Sequence, residues 1–190
     1  MISRACAGAC ALLLASCIDV AGPPRQALDV TIPESAGLES TCTPTGPEIC
    51  FDARDNNCNG VIDEGCGLHT GILQFVIAWE APEADVDLLV TDPSGETAKT
   101  DQPTSGGLQK DRDCPRAGEC QGQNVENVYL AEGEPRKGHY EVVVHLESLH
   151  GATAPVRVRL GVRMGQKSYG RVIDLSPGPT EDMKFPFDLK

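Results

Sequence analysis

The chain has 190 residues, enough for one well-packed domain of ordinary size with a short appendage. Its 28 Asp and Glu outnumber 16 Lys and Arg, giving a formal charge of -12 that would repel a phosphate backbone, and aromatic residues at 4 % leave few stacking platforms. Nucleic acid is therefore a poor partner, the four histidines offer few general bases, and nine cysteines make the compartment the first question.

At the N-terminus, Arg4 precedes an apolar run from Ala5 to Ala15, too short to span a bilayer but suited to a secretory signal. The run closes on Leu14-Ala15-Ser16-Cys17, which resembles the bacterial lipobox. The resemblance implies a signal peptide of residues 1–16, acylation of Cys17 and attachment to a membrane through lipid alone. Ile18, where an Asp often biases sorting, favours the outer over the inner membrane. Cys6 and Cys10 leave with the signal, so Cys42, Cys50, Cys58, Cys66, Cys114 and Cys120 remain beside Cys17. An even number in an exported chain reads as disulfides, here three, with Cys114 bridged to Cys120. Residues 17–40 are proline-rich and without period, and read as the lipidated Cys17 followed by a flexible tether. Leu28 to Ile32 as a short edge strand is the alternative.

Residues 41–67 form a small acidic, cysteine-rich module. Cys42, Cys50, Cys58 and Cys66 recur every eight residues, whereas zinc ribbons place ligand cysteines in close pairs. Two disulfides are the stronger reading, and the spacing leaves all three connectivities open. Inside the module, Asp55, Asn57, Asn59 and Asp63 stand at positions 1, 3, 5 and 9 of an EF-hand-like calcium loop, with Gly60 at the sharp bend and Ile62 as its apolar anchor. Cys66 takes the place of the bidentate Glu, and Glu64 is the available substitute. With Asn at two positions the affinity is expected in the weak range of extracellular modules, ~10⁻⁴–10⁻³ M. The stretch PEICFDARDNNCNGVIDEGC, residues 47–66, is similar to the MopE-type metal-binding motif of bacterial surface proteins, and that resemblance implies a metal. Copper would want His or Met, which are missing nearby, so calcium is the expected ion.

From residue 68 the pattern changes to period two. Leu73, Phe75, Ile77 and Trp79 alternate with other residues, as do Val86, Leu88 and Val90; Tyr140, Val142, Val144 and Leu146; and Val156, Val158, Leu160, Val162 and Met164. Shorter strands are predicted at 97–100, 125–130, 167–174 and 182–187, with a turn at Asp92-Pro-Ser-Gly95. No useful helical period occurs, so residues 68–190 are expected to be all-β, an antiparallel β-sandwich of about eight strands with Trp79 in its core. The blocks IAWEAPEADVDLLVTDPSGE, SGGLQKDRDC, VENVYL and GHYEVVVH follow one another as in the YfaP-like bacterial domain. That resemblance covers most of residues 71–165, departs from the family pattern at Val125 and Leu130, and implies an envelope protein of that fold without naming a reaction.

Asp85 and Asp87 leave one strand face about 6.5–7 Å apart, and Asp111 and Asp113 repeat the spacing in a Gly-rich loop. Four carboxylates crowded together need a cation or an Arg among them, and hard oxygens without His or Cys suit calcium. Asp87, Asp111 and Asp113 are the first candidates, then Asp85, Glu126 and Asn127, with Lys110 and Arg112 expected to point away. His139 and His145 are six residues apart, and no nucleophile elbow or zinc-protease motif is present. The expected function is thus a non-catalytic, calcium-stabilised envelope lipoprotein, a binding or structural accessory module for an envelope protein or glycan. The alternative is a metal-dependent hydrolase using Asp85, Asp87, Asp111 and Asp113.

Overall fold

A computed structural model describes residues 27–40, 42, 44–115, 120 and 122–190. The signal segment, the lipidation site Cys17 and the first part of the tether lie outside the described residues. Among the described residues, ten strands follow in order: β1 (Val30–Thr31), β2 (Glu39–Ser40), β3 (Leu73–Trp79), β4 (Asp85–Thr91), β5 (Gln109–Arg112), β6 (Val125–Leu130), β7 (Gly138–Ser148), β8 (Val156–Met164), β9 (Lys167–Leu175) and β10 (Asp182–Leu189). They form two antiparallel sheets, β1-β10-β7-β4 and β2-β9-β8-β3-β6-β5, which make the expected sandwich.

Period-two patterning explains the layers. The even positions of β4, Val86, Leu88 and Val90, face the odd positions of β3, Leu73, Phe75 and Ile77, and all six are fully buried. Phe187 stacks on Tyr140 at 4.9 Å and on Phe75 at 5.9 Å, tying both sheets to one aromatic centre. Trp79 is buried and donates Nε1–H to the Ala84 carbonyl at 3.0 Å, so its role is packing. The turn at Asp92 forms as read, with Gly95 at φ +83° and the Asp92 carboxylate accepting from the Ser94 N–H and the Thr104 hydroxyl.

Two elements differ from the sequence reading. Residues 97–100 form only isolated bridges, and the extra strand is β5, inside the segment read as a loop. Within the expected tether, Val30 and Thr31 pair with Leu189 and Asp188, while Leu28, Ile32 and Leu38 pack against the core. The apolar residues of this stretch are too few to show a period, yet enough to close a sheet edge.

The cysteine-rich module sits on the outer face of the second sheet. Ala53 and Ile62 pack with Val76, Ala78 and Val125, which alternate away from the main core. Gly161 permits this approach, because a Cβ there would stand 2.3 Å from the Ala53 carbonyl oxygen. Gln74, buried on the same face, donates to the Ile62 carbonyl at 3.2 Å.

Candidate metal centre

The module is closed by Cys42–Cys58 and Cys50–Cys66, which resolves the connectivity that spacing left open, and Cys114–Cys120 forms as expected. Between the first two bridges the chain folds into a tight loop held by its own side-chain oxygens. Asp55 accepts the N–H of Asn59 at 3.0 Å and of Gly60 at 2.9 Å. Asn57 Oδ1 accepts the Asn59 N–H at 3.0 Å, and Asn59 Oδ1 accepts the Val61 N–H at 2.9 Å. Gly60 takes φ +89°, and Ile62, 1 % exposed, locks the loop onto the sheet.

Two loop residues take other partners. Asp63 is fully buried and accepts the N–H groups of Asp52 and Ala53 at 3.2 and 3.1 Å, holding the preceding segment; burial pushes its carboxyl up to about 7. Glu64 accepts from the Asn57 amide at 2.9 Å and so stays beside the loop oxygens. Glu48, which no motif position singled out, receives the N–H groups of Asp63 and Asn56 at 3.0 and 3.2 Å, and burial raises its carboxyl. The structure therefore gathers Asp55, Asn57, Asn59 and Glu64 around one turn and gives Asp63 to the fold.

The acidic residues of the sandwich divide differently. Asp87, Asp113 and Glu126 bring one carboxylate oxygen each within 4.8 Å of one another, where the edge strand β4 meets β6 and β5. Glu126 is fully buried, and its Oε2 accepts the Leu88 N–H at 2.6 Å, capping a group that an edge strand leaves unpaired. Lys110 completes the cluster. Its ammonium lies 2.9 Å from Glu126 Oε2 and 2.5 Å from Asp113 Oδ1, with the side chain 5 % exposed. The expectation that Lys110 points away is corrected by strand parity. Lys110 faces in and Asp111 faces out, and a register shift between Lys110 and Arg112 turns Asp113 back to the Lys110 side.

Asp111 consequently serves the other face, where it receives His69 Nδ1 and the His69 N–H at 2.7 and 2.9 Å and the Asn127 amide at 2.7 Å. Asp85, at the start of β4, and Asn127 stand outside the edge cluster. The four aspartates that a hydrolase would use are not assembled at one point. Arg112 donates to Gln123 at 3.1 Å and lies over the Phe51 ring.

Electrostatics follow from burial. Burial lifts Glu126 well above the usual carboxylate range against the pull of Lys110, and lifts Asp87 as well. Burial opposes charge on Asp113 too, but its bond to Lys110 holds the carboxyl below its usual range; Glu126 and Asp113 in turn hold the Lys110 ammonium above its own. One oxygen of Glu126, Oε1, is buried without a hydrogen-bond partner. Lys110 thus supplies a positive charge among these carboxylates, whose oxygens are also close enough together to hold a metal ion. A second group, Asp87 with His145 and Glu147, opens to solvent.

The donor chemistry of the loop is hard. Residues 39–64 contain neither His nor Met, and all four module cysteines are in disulfides, so copper has no soft or imidazole ligand here. Oxygen donors from Asp55, Asn57, Asn59 and Glu64 fit a hard divalent cation. Residues 39–64 match the family model described as "Putative metal-binding motif", of the MopE type. No curated protein and no solved structure matches the chain. The chain thus carries a metal-binding motif, seated on a β-sandwich.

Proposed function

We propose that the protein is a non-catalytic, lipid-anchored accessory module of a bacterial cell envelope, in which calcium at the disulfide-stapled loop stabilises the module against the sandwich. One observation carries this reading: the loop from Asp55 to Val61 is organised by side-chain oxygens at alternate positions, each accepting a backbone N–H, with no soft donor among them. Asp55, Asn57, Asn59 and Glu64 would hold the ion, and the loop anchor Ile62 would pass its stability to the sheet. The lipobox-like Leu14-Ala15-Ser16-Cys17 and the YfaP-like blocks support an envelope location, the outer membrane ahead of the inner, with an envelope protein or glycan as partner.

The test is a melting curve of the full chain in calcium and in chelator. A cation that binds only the folded state adds about 2.7 kcal/mol at one hundred times its dissociation constant. Millimolar calcium should raise the melting temperature, magnesium should raise it less because it demands a tighter octahedron, and Asn57→Ala with Asn59→Ala should remove the response. Equal melting in calcium and chelator would overturn the proposal. Palmitate labelling lost in Cys17→Ser would support the anchor, and labelling that persists would remove it.

A further inference from the structure

In a chain of net charge -12, three guanidiniums gather that form no ion pair with a carboxylate among the described residues. Arg157 and Arg159 alternate along the outer face of β8, and Arg54 reaches the same place from the cysteine-rich module. Two clefts, of about 900 and 360 Å³, share Arg54, Arg159 and Val172 as lining. None of these three arginine side chains has a hydrogen bond or an ion pair with a described residue. Glu34, Glu39 and Asp55 also line the larger cleft, Asp55 committed to the loop N–H groups and the Ser168 hydroxyl, and no described carboxylate near the cluster pairs with these three side chains. Asp52 accepts the Arg54 backbone N–H and the Asn56 amide at 3.0 and 3.2 Å, while Asp174 is the cross-strand neighbour of Arg157 without pairing to it. Glu80 lines the smaller cleft, also unpaired with them. Asp52 and Glu80 offset part of the repulsion at Arg159 without pairing with it, and an anion seated between the guanidiniums would take up the rest.

We propose that this cleft, between the module and the outer face of the second sheet, binds a phosphoryl group held by Arg54, Arg157 and Arg159. Three forked guanidiniums offer more donors than the two oxygens of a carboxylate can accept, whereas a tetrahedral, doubly charged phosphoryl group can use them. The overall negative charge admits a compact anion and resists a long polyanion. Burial, then the charge of Arg54, pushes the Arg159 guanidinium down from its ordinary value; Asp52 and Glu80 oppose this and Arg157 adds to it, and a bound anion would relieve the net repulsion.

The test follows the arginine Nε–Hε NMR signals of the full chain carrying Cys17→Ser during titration with inorganic phosphate at constant ionic strength. The expected result is a saturable shift of the Arg54, Arg157 and Arg159 signals, with affinity at least tenfold weaker in the Arg54→Gln, Arg159→Gln double variant. Arg159→Lys should recover only part of that loss, because charge returns without the fork. Cosedimentation with phosphatidylglycerol vesicles, against phosphatidylcholine vesicles and the double variant in the same background, separates the sources of the group. Arginine-dependent binding to the anionic vesicles assigns a lipid headgroup, and binding to inorganic phosphate alone assigns a soluble phosphate; either supports the site. Shifts that do not saturate, or an affinity unchanged in the double variant, overturn it.

Discussion

Removing the Lys110 ammonium tests whether an internal cation holds the acidic edge of the sandwich. In Lys110→Met the stem is replaced by a side chain of similar length, and the charge between Glu126 and Asp113 disappears. The Glu126 side chain is 1 % exposed, so its carboxylate would be left buried and uncompensated, at a cost of about 3–5 kcal/mol. The Asp113 side chain is 36 % exposed, and solvent screening limits its share to at most about 1 kcal/mol. Glu126 has an escape, because burial already holds its carboxyl well above the usual range. The folded variant would bind a proton that the unfolded chain releases, so its stability should fall as pH rises out of the ordinary carboxylate range. The loss should therefore be small near pH 4 and largest above neutrality. Adding Glu126→Gln keeps an oxygen for the Leu88 N–H, removes the orphaned charge and should bring stability back to within about 1 kcal/mol of the native chain. Urea unfolding followed by the fluorescence of Trp79, the only tryptophan, measures all three proteins. A Lys110→Met midpoint equal to the native one above neutrality, or a double variant as weak as the single, would refute the reasoning.

Other perturbations read separate parts of the structure. Burial disfavours charge on His145, but Asp182 at 2.7 Å and Glu147 at 3.2 Å raise its pKa above the ordinary value. The resulting stability, under about 1 kcal/mol, should be full below pH 6.5 and lost as pH rises through the raised value, and Asp182→Asn should flatten that slope in urea unfolding at stepped pH. Gly161→Ala drives a Cβ to 2.3 Å from the Ala53 carbonyl oxygen, which should cost about 1–3 kcal/mol and raise amide exchange in residues 53–62 while the sandwich core stays protected. Cys50→Ser with Cys66→Ser opens a bridge of sequence separation 16, which should cost about 3 kcal/mol in calorimetry and abolish the calcium response.

The sandwich was legible because its strands are one-sided. Val156 to Met164 alternates apolar residues with arginines, and such a run has one buried face whatever pairs beside it. β5 escaped for the opposite reason: Gln109, Lys110, Asp111 and Arg112 are all polar, so no hydrophobic signal distinguishes a strand from a loop. The same silence hid the direction of Lys110, since a parity argument needs one residue of known facing and the segment has none. In the module, Asp55, Asn57, Asn59 and Gly60 were readable because loop spacing is local. The turning of Asp63 toward the 52–53 backbone depends on how the disulfides fold the preceding segment, and spacing alone leaves that open. The arginine cleft is a product of topology, joining Arg54 to β8 residues about a hundred positions away.

The docking of the module carries a consequence for the independence of the two parts. Residues 41–67 are too short to bury a core by themselves, and two disulfides limit their unfolded freedom without supplying apolar cover. The second sheet supplies that cover, and the benefit is mutual, because Val76 and Val125 are fully buried on a face that would otherwise meet water. Exposing Val76, Ala78 and Val125 should cost roughly 3–6 kcal/mol, a large part of the 5–15 kcal/mol that holds an ordinary domain. Residues 68–190 alone also lose the strand partners that β1 gives β10 and β2 gives β9. This fragment should therefore unfold at markedly lower urea than the full chain, with the greatest rise in amide exchange on β9, β3 and β6, and it should bind a hydrophobic dye that the full chain does not. Isoleucine 62 offers the finer cut, since Ile62→Ala withdraws only the anchor and should cost about 2–5 kcal/mol without removing any strand. A fragment as stable as the full chain, together with an Ile62→Ala variant that keeps the native midpoint, would mean that the module merely rests on the sheet and that each part holds its own fold.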